Sequence, residues 1–272
     1  MRAIEQNEQN EQYINFQSGQ IYFQQFSPEN PASLQHQSSK AVIVLLHESL
    51  GSVALWKQFP QALANATGRQ VIAYDRLGFG RSSQRFDFLP ADFVWAEAQG
   101  AFAALVEALD LDKFIVLGHS VGGGMALSIA ANYQTECLAV VSMSAQAKVE
   151  QLTLDGIEAA KENFKDQKLF QRLAKYHGEK TKWVLNAWTE TWLAPHFATW
   201  DLSEVLKQVN CPVQVIHGKV DEYATQAQPE QIAAQVQGVV ELCILEDCGH
   251  FPHQEKPAKV IQLVQDFIGE LG

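Results

Sequence analysis

A serine held between glycines, Gly118-His119-Ser120-Val121-Gly122, is the stretch of this chain best suited to make and break a covalent bond. It follows the apolar run Phe114-Ile115-Val116-Leu117, which starts from the charged turn Asp112-Lys113. It precedes Gly123 to Ala131, a run with the small-residue face of a packed helix. Strand, G-x-S-x-G, helix is the context of a nucleophile elbow. A chain that turns this sharply strains its central residue. Side chains at the flanking positions would collide, so glycine stands there. The serine oxygen is then lifted clear of the sheet, and the N–H groups that open the helix face the space beside it. Such a cradle stabilises negative charge. The chemistry indicated is attack of Ser120 on a carbonyl.

These residues resemble the nucleophile elbow of the α/β-hydrolase fold, and the resemblance runs over nearly the whole chain from about Tyr13. It implies a triad in the chain order serine, acid, histidine. Asp221 lies just past the apolar run Val213-Gln214-Val215-Ile216-His217-Gly218, whereas the run ending near Met143 meets no Asp or Glu before Lys148. Asp221 is therefore the candidate acid, with Glu222 second. The run Cys248-Gly249-His250-Phe251-Pro252-His253 is similar to the family's histidine loop and puts His250 in the catalytic place, with His253 as rival. The resemblance also implies an oxyanion hole from the backbone N–H groups of Ser49 and Val121. His47-Glu48 departs from the His-Gly opening usual there. A carboxylate pointing at the oxyanion would oppose its charge. Glu48 is therefore expected to turn away or meet a polar partner, the alternative being a role with substrate or water.

The elements that must position these groups can be read in order. Tyr13 to Phe23 reads as a β-hairpin around Ser18-Gly19, and Ser27 to Ser39 as a loop. Ala41 to Leu46 and Val71 to Tyr74 are continuous apolar runs, as for parallel strands buried on both faces. Trp56, Phe59 and Leu63 mark one helix, and Ala91 to Leu109 another. Asp75-Arg76-Leu77-Gly78-Phe79-Gly80 lacks a third glycine and reads as scaffold rather than a nucleotide site. Cys137 to Met143 and Val239 to Leu245 are further strands, and Val260, Val264, Phe267 and Ile268 form one face of a closing helix. The alternation predicts an α/β fold with a mostly parallel, doubly wound sheet, whose chemistry lies at the carboxyl ends of strands. Residues 1–145 and 208–272 make the two parts of that core, with 1–12 expected to be mobile. Residues 146–207 hold no buried-strand run but many aromatics, where the resembled family inserts a helical cap. Trp188 and Trp192, one turn apart, join Glu48 and Phe251 as candidate pocket residues.

Composition bounds the function. The 272 residues are 47 % hydrophobic and 19 % charged, a globular composition. The net charge of −11, with pI near 5.2, argues against a nucleic-acid groove or an anionic membrane surface. The four cysteines match no zinc spacing and read as free thiols. His177 and His196 lack partners at ligand spacing. No membrane span or secretory signal is visible, so the expected place is the cytoplasm. The expectation is a serine hydrolase cleaving a carboxylic ester of a small or medium substrate, with no cofactor or metal and no nucleic-acid or membrane partner. The oligomeric state stays open. Carbon–carbon bond hydrolysis of ring-cleavage products, thioester hydrolysis, or a non-catalytic small-ligand receptor are the alternatives. An elbow serine in place of aspartate sets aside the dehalogenases and epoxide hydrolases that resemble this fold.

Overall fold

The computed structural model describes residues 4–6, 12–17, 19–29 and 40–269. An antiparallel set, β1 (Ile4–Gln6), β2 (Gln12–Phe16) and β3 (Gly19–Phe26), opens the chain. Six strands follow: β4 (Val42–Leu46), β5 (Val71–Tyr74), β6 (Phe114–His119), β7 (Cys137–Met143), β8 (Val213–Gly218) and β9 (Val240–Leu245). All pair in one sheet in the order β1-β2-β3-β5-β4-β6-β7-β8-β9, parallel from β5 to β9. Residues 1–12 were expected to be mobile. Ile4–Gln6 is instead a strand paired with β2, and Gln12 opens β2. The rest of that segment lies outside the described residues, as does most of the loop expected over Ser27 to Ser39.

The longer helices are α1 (Phe59–Thr67), α2 (Ala101–Leu109), α3 (Val121–Asn132), α4 (Gln151–Asn163), α5 (Gln167–His177), α6 (Thr181–Trp192), α7 (Ala227–Gln235) and α8 (Pro257–Gly269). Successive strand side chains point to opposite faces, and the continuous apolar strands fill a core on each. Ile43, Leu45, Ile115 and Leu117 meet Leu63 of α1 and Val260 and Val264 of α8. Val44, Leu46, Val116 and Val140 meet Phe102 of α2 and Met125 and Ile129 of α3. This is the doubly wound layering expected, with the closing helix burying Val260, Val264, Phe267 and Ile268.

One helix was expected over Ala91 to Leu109. The chain instead makes short turns at Phe93–Ala96 and Glu97–Gln99 before α2, and bends at Gly100 (φ −98°, ψ −118°). The break lets Glu97 turn inward to accept a hydrogen bond from the Tyr74 hydroxyl at 2.7 Å. That bond satisfies the hydroxyl of the buried Tyr74.

Helices α4 to α6 sit between β7 and β8 in the chain. The end of α5 ties them to the loops leaving the sheet. His177 Nδ1 accepts from the Gly80 N–H at 2.9 Å, and its Nε2–H donates to the Leu50 carbonyl at 2.9 Å. Lys180 Nζ donates to the carbonyls of Phe79 and Ser82. Neutral imidazole alone fits one donor and one acceptor bond. Burial pushes His177 down to about 4 from its ordinary 6.5. The unfolded chain therefore takes up this proton first as pH falls. The stabilisation is complete above about pH 6.5 and is lost between there and about 4, by at most ~3 kcal/mol. His177→Gln is expected to show a smaller drop in urea midpoint between pH 7 and 4.5 than the wild type. Equal drops would contradict this.

Candidate active site

At the end of β6 the chain enters Ser120 with φ 54° and ψ −123°. Positive φ in a non-glycine residue costs on the order of 1–3 kcal/mol and persists only where its surroundings impose it. Here the Ser120 N–H donates to the Met143 carbonyl at 2.8 Å, and the Ser120 carbonyl accepts from the Gly123 N–H at 2.8 Å. A Cβ at Gly118 would fall on the backbone of Gly122. One at Gly122 would fall on the Leu46 carbonyl at the end of β4. Those two glycines let the start of α3 lie directly against two strand ends.

Ser120, Asp221 and His250, expected from separate parts of the chain, come together. Ser120 Oγ is 3.0 Å from His250 Nε2. His250 Nδ1 is 2.9 Å from Asp221 Oδ1 and 2.8 Å from Oδ2. Facing a carboxylate, Nδ1 carries the hydrogen, which leaves the Nε2 lone pair for the serine hydroxyl. Burial pushes the Asp221 carboxyl up, but its hydrogen bond and electrostatic attraction with His250 and the Tyr223 N–H outweigh it, so the pKa is lowered. Asp221 Oδ1 accepts from the N–H groups of Tyr223 at 2.8 Å and Ala224 at 3.1 Å, which fixes the carboxylate. His217 braces the same turn, 3.3 Å from the Ala224 carbonyl.

The backbone around His250 is held by side chains. Glu255 accepts from the N–H groups of Gly249 at 2.8 Å and Phe251 at 3.0 Å. Glu222, the second candidate acid, accepts from the His250 N–H at 3.2 Å and so serves the backbone rather than the imidazole. His253, the rival histidine, packs at 4.7 Å from the rings of both Trp56 and His119. Burial pushes it well below its ordinary value, which suits a core role.

Ser49 and Val121 border one narrow gap. The loop carrying Ser49 is fixed by its neighbour's carbonyl. The Glu48 carbonyl accepts from His47 Nδ1–H at 2.7 Å and from the Arg76 guanidinium at 3.0 Å. Arg76 lies 4.2 Å over the Phe79 ring, and its N–H donates to His47 Nε2 at 3.2 Å. The glycine-containing loop after β5 is thus scaffold, as expected. Asp75 accepts from the N–H groups of Val53 at 2.6 Å and Arg81 at 2.7 Å.

A cavity of about 600 Å³, counting its open mouth, reaches Ser120 and His250. Glu48, Trp188, Trp192 and Phe251 all line it. Its remaining wall includes residues that sequence reasoning missed. Ile157, Ala160 and Phe164 come from α4 and its end at intervals of three and four, a periodicity readable in the chain. Tyr223 packs 4.9 Å from the His250 ring and sits in an irregular turn, where no periodic signal exists. His119, at the variable position of the G-x-S-x-G motif, donates from Nε2 to the His250 carbonyl at 2.7 Å. Among the described residues, no group of three or more His, Cys, Asp or Glu could hold a metal ion. The four cysteines are free, and among the described residues no helix is long and apolar enough to cross a membrane.

Residues 41–257 match the alpha/beta hydrolase fold family, and the chain belongs to it. Over 101 residues it is 43% identical to 1-acylglycerol-3-phosphate O-acyltransferase ABHD5 of Rattus norvegicus, a match covering 35% of this chain and only 27% of that relative. It is 24% identical to proline iminopeptidase of Lactobacillus helveticus over 86% of this chain and 91% of that one. A thermophilic esterase from Thermogutta terrifontis shares the fold, with TM-score 0.72, 17% identity, and coverage of 96% of this chain and 98% of that one.

The close approach at the elbow can be tested alone. Gly122→Ala is expected to destabilise the protein by about 2 kcal/mol or more, because the backbone of Leu46 must move to admit the methyl group. Thermal unfolding of the variant measures it. An unchanged midpoint would contradict the packing described.

Proposed function

We propose that this chain is a serine hydrolase that cleaves carboxylic esters of small or medium size through an acyl-enzyme. The observation that carries the proposal is the unbroken hydrogen-bond line Ser120–His250–Asp221 at the floor of an apolar-walled cavity. A serine hydroxyl is a weak nucleophile until a base accepts its proton. His250 Nε2 is placed to take it, while Asp221 orients the ring and stabilises the imidazolium. Attack on the ester carbonyl forms a tetrahedral oxyanion. The N–H groups of Ser49 and Val121 receive it, each worth on the order of 3 kcal/mol when aligned. His250 then protonates the departing alkoxide, and the acyl-enzyme forms. In the second half, His250 takes a proton from water, the hydroxide attacks the acyl carbonyl, and Ser120 leaves with the proton.

The cavity walls support the ester reading. Trp188, Trp192, Ile157 and Phe164 offer apolar surface for a hydrocarbon group, and Glu48 is the one carboxylate among its described lining residues. Helices α4 and α6 act as the cap over this pocket. The test is turnover of p-nitrophenyl esters of increasing acyl length, beside an N-terminal prolyl amide, an acyl thioester and a ring-cleavage dienoate. The expected result is preference for a short or medium ester, with kcat falling about 10⁴-fold in Asp221→Asn. Preference for one of the three competitors would overturn ester hydrolysis. Full activity in Asp221→Asn would overturn the acid.

A further inference from the structure

The Glu48 side chain lines the cavity with Ser120 and His250, directly before the oxyanion donor Ser49. A bare carboxylate pointing at the oxyanion would work against the reaction. Its Oε2 lies 3.8 Å from His119 Nδ1, beyond hydrogen-bond length but in close electrostatic contact. The other His119 nitrogen settles the hydrogen count. Nε2 is 2.7 Å from the His250 carbonyl, which can only accept, so Nε2 carries a hydrogen. Nδ1 is buried and makes no hydrogen bond. It is thus either a lone pair facing a carboxylate or an N–H facing one. A lone pair and an ionised carboxylate repel one another in a poorly solvated setting. A hydrogen on Nδ1 turns that repulsion into attraction.

We propose that His119 carries a hydrogen on both ring nitrogens and faces the ionised Glu48 as an ion pair of zero net charge, which silences the carboxylate beside the oxyanion position and fastens the His250 backbone. This rests on the ester-hydrolase reading. His119 is thereby a positioning residue: it reaches the chemistry through the His250 carbonyl and through Glu48.

The surroundings favour the pair. The groups facing it are His250, His253, His47, His177, Arg76 and Phe251, with Lys57 beyond His253. Burial pushes His47 and His253 well below their ordinary value, so neither supplies the proton. Arg76 is engaged with the Glu48 carbonyl. Burial pushes the Glu48 carboxyl up, but the interaction with His119 outweighs it and lowers the pKa. Gly51 makes the fold-back possible, because a Cβ there would come within 2.8 Å of the Glu48 carboxyl carbon.

The test separates holding from silencing. His119→Gln keeps an amide donor for the His250 carbonyl but cannot place a positive charge opposite Glu48. Its kcat for p-nitrophenyl acetate is expected to fall about tenfold or more, since each tenfold corresponds to about 1.4 kcal/mol of lost transition-state stabilisation. His119→Gln/Glu48→Gln is expected to recover most of that loss. The ratio of single to double variant should approach one as pH falls and Glu48 takes up its own proton. A double variant no better than the single one, or a ratio flat with pH, would overturn the proposal. The ¹⁵N spectrum of the wild-type histidine rings needs no folded variant and no substrate. His119 Nδ1 is expected to be protonated or hydrogen-bonded, and a free acceptor there would overturn the pair. Absent ester turnover in the wild type would count against the hydrolase reading, while the ring spectrum still decides on the pair.

Discussion

Everything at the site hangs on one close approach. The start of α3 lies so near the end of β4 that no side chain fits at Gly122, and so near the end of β6 that none fits at Gly118. That contact forces Ser120 into a positive φ. Strain of this kind survives only when better interactions impose it. They are here: two buried cores grip the strands from both faces, and α3 is buried along nearly its whole length. The stability of the sheet is thus converted into a fixed serine.

The other two members of the line are held differently. Asp221 and His250 sit on turns past β8 and β9, outside the strand-and-helix packing that grips Ser120. Hydrogen bonds to backbone groups do the work instead. Tyr223 and Ala224 fix the Asp221 carboxylate, and Glu222, Glu255 and His119 fix three successive residues around His250. A loop tied at this many points loses little entropy when substrate arrives, so the geometry is prepared in advance. The loop carrying Ser49 follows the same rule, with the Glu48 carbonyl pinned by His47 and Arg76.

The sheet was legible because apolar runs between turn signals leave few alternatives. Two cases ran the other way. Ala91 to Leu109 has helical periodicity throughout, yet the chain bends at Gly100, and Glu97 just before the bend bonds the buried Tyr74 hydroxyl. The N-terminal residues looked too polar for structure, but Ile4–Gln6 adds backbone hydrogen bonds to a sheet edge, which composition does not report. At the site, Ser120, Asp221 and His250 were legible because strand ends and chain order constrain them. The partner of Glu48 was not, because His119 occupies a position where the elbow motif admits any residue. Tyr223 was hidden for a similar reason: an irregular turn has no period to read.

The central claim is that Ser120 is an activated nucleophile. Intact-mass analysis after treatment with a fluorophosphonate tests it most directly, because the reagent reports the serine whatever the substrate. The account predicts one added phosphonyl group in the wild type, none in Ser120→Ala, and labelling slowed in His250→Ala. A folded wild-type protein that takes up no label, or equal labelling of Ser120→Ala, would contradict it.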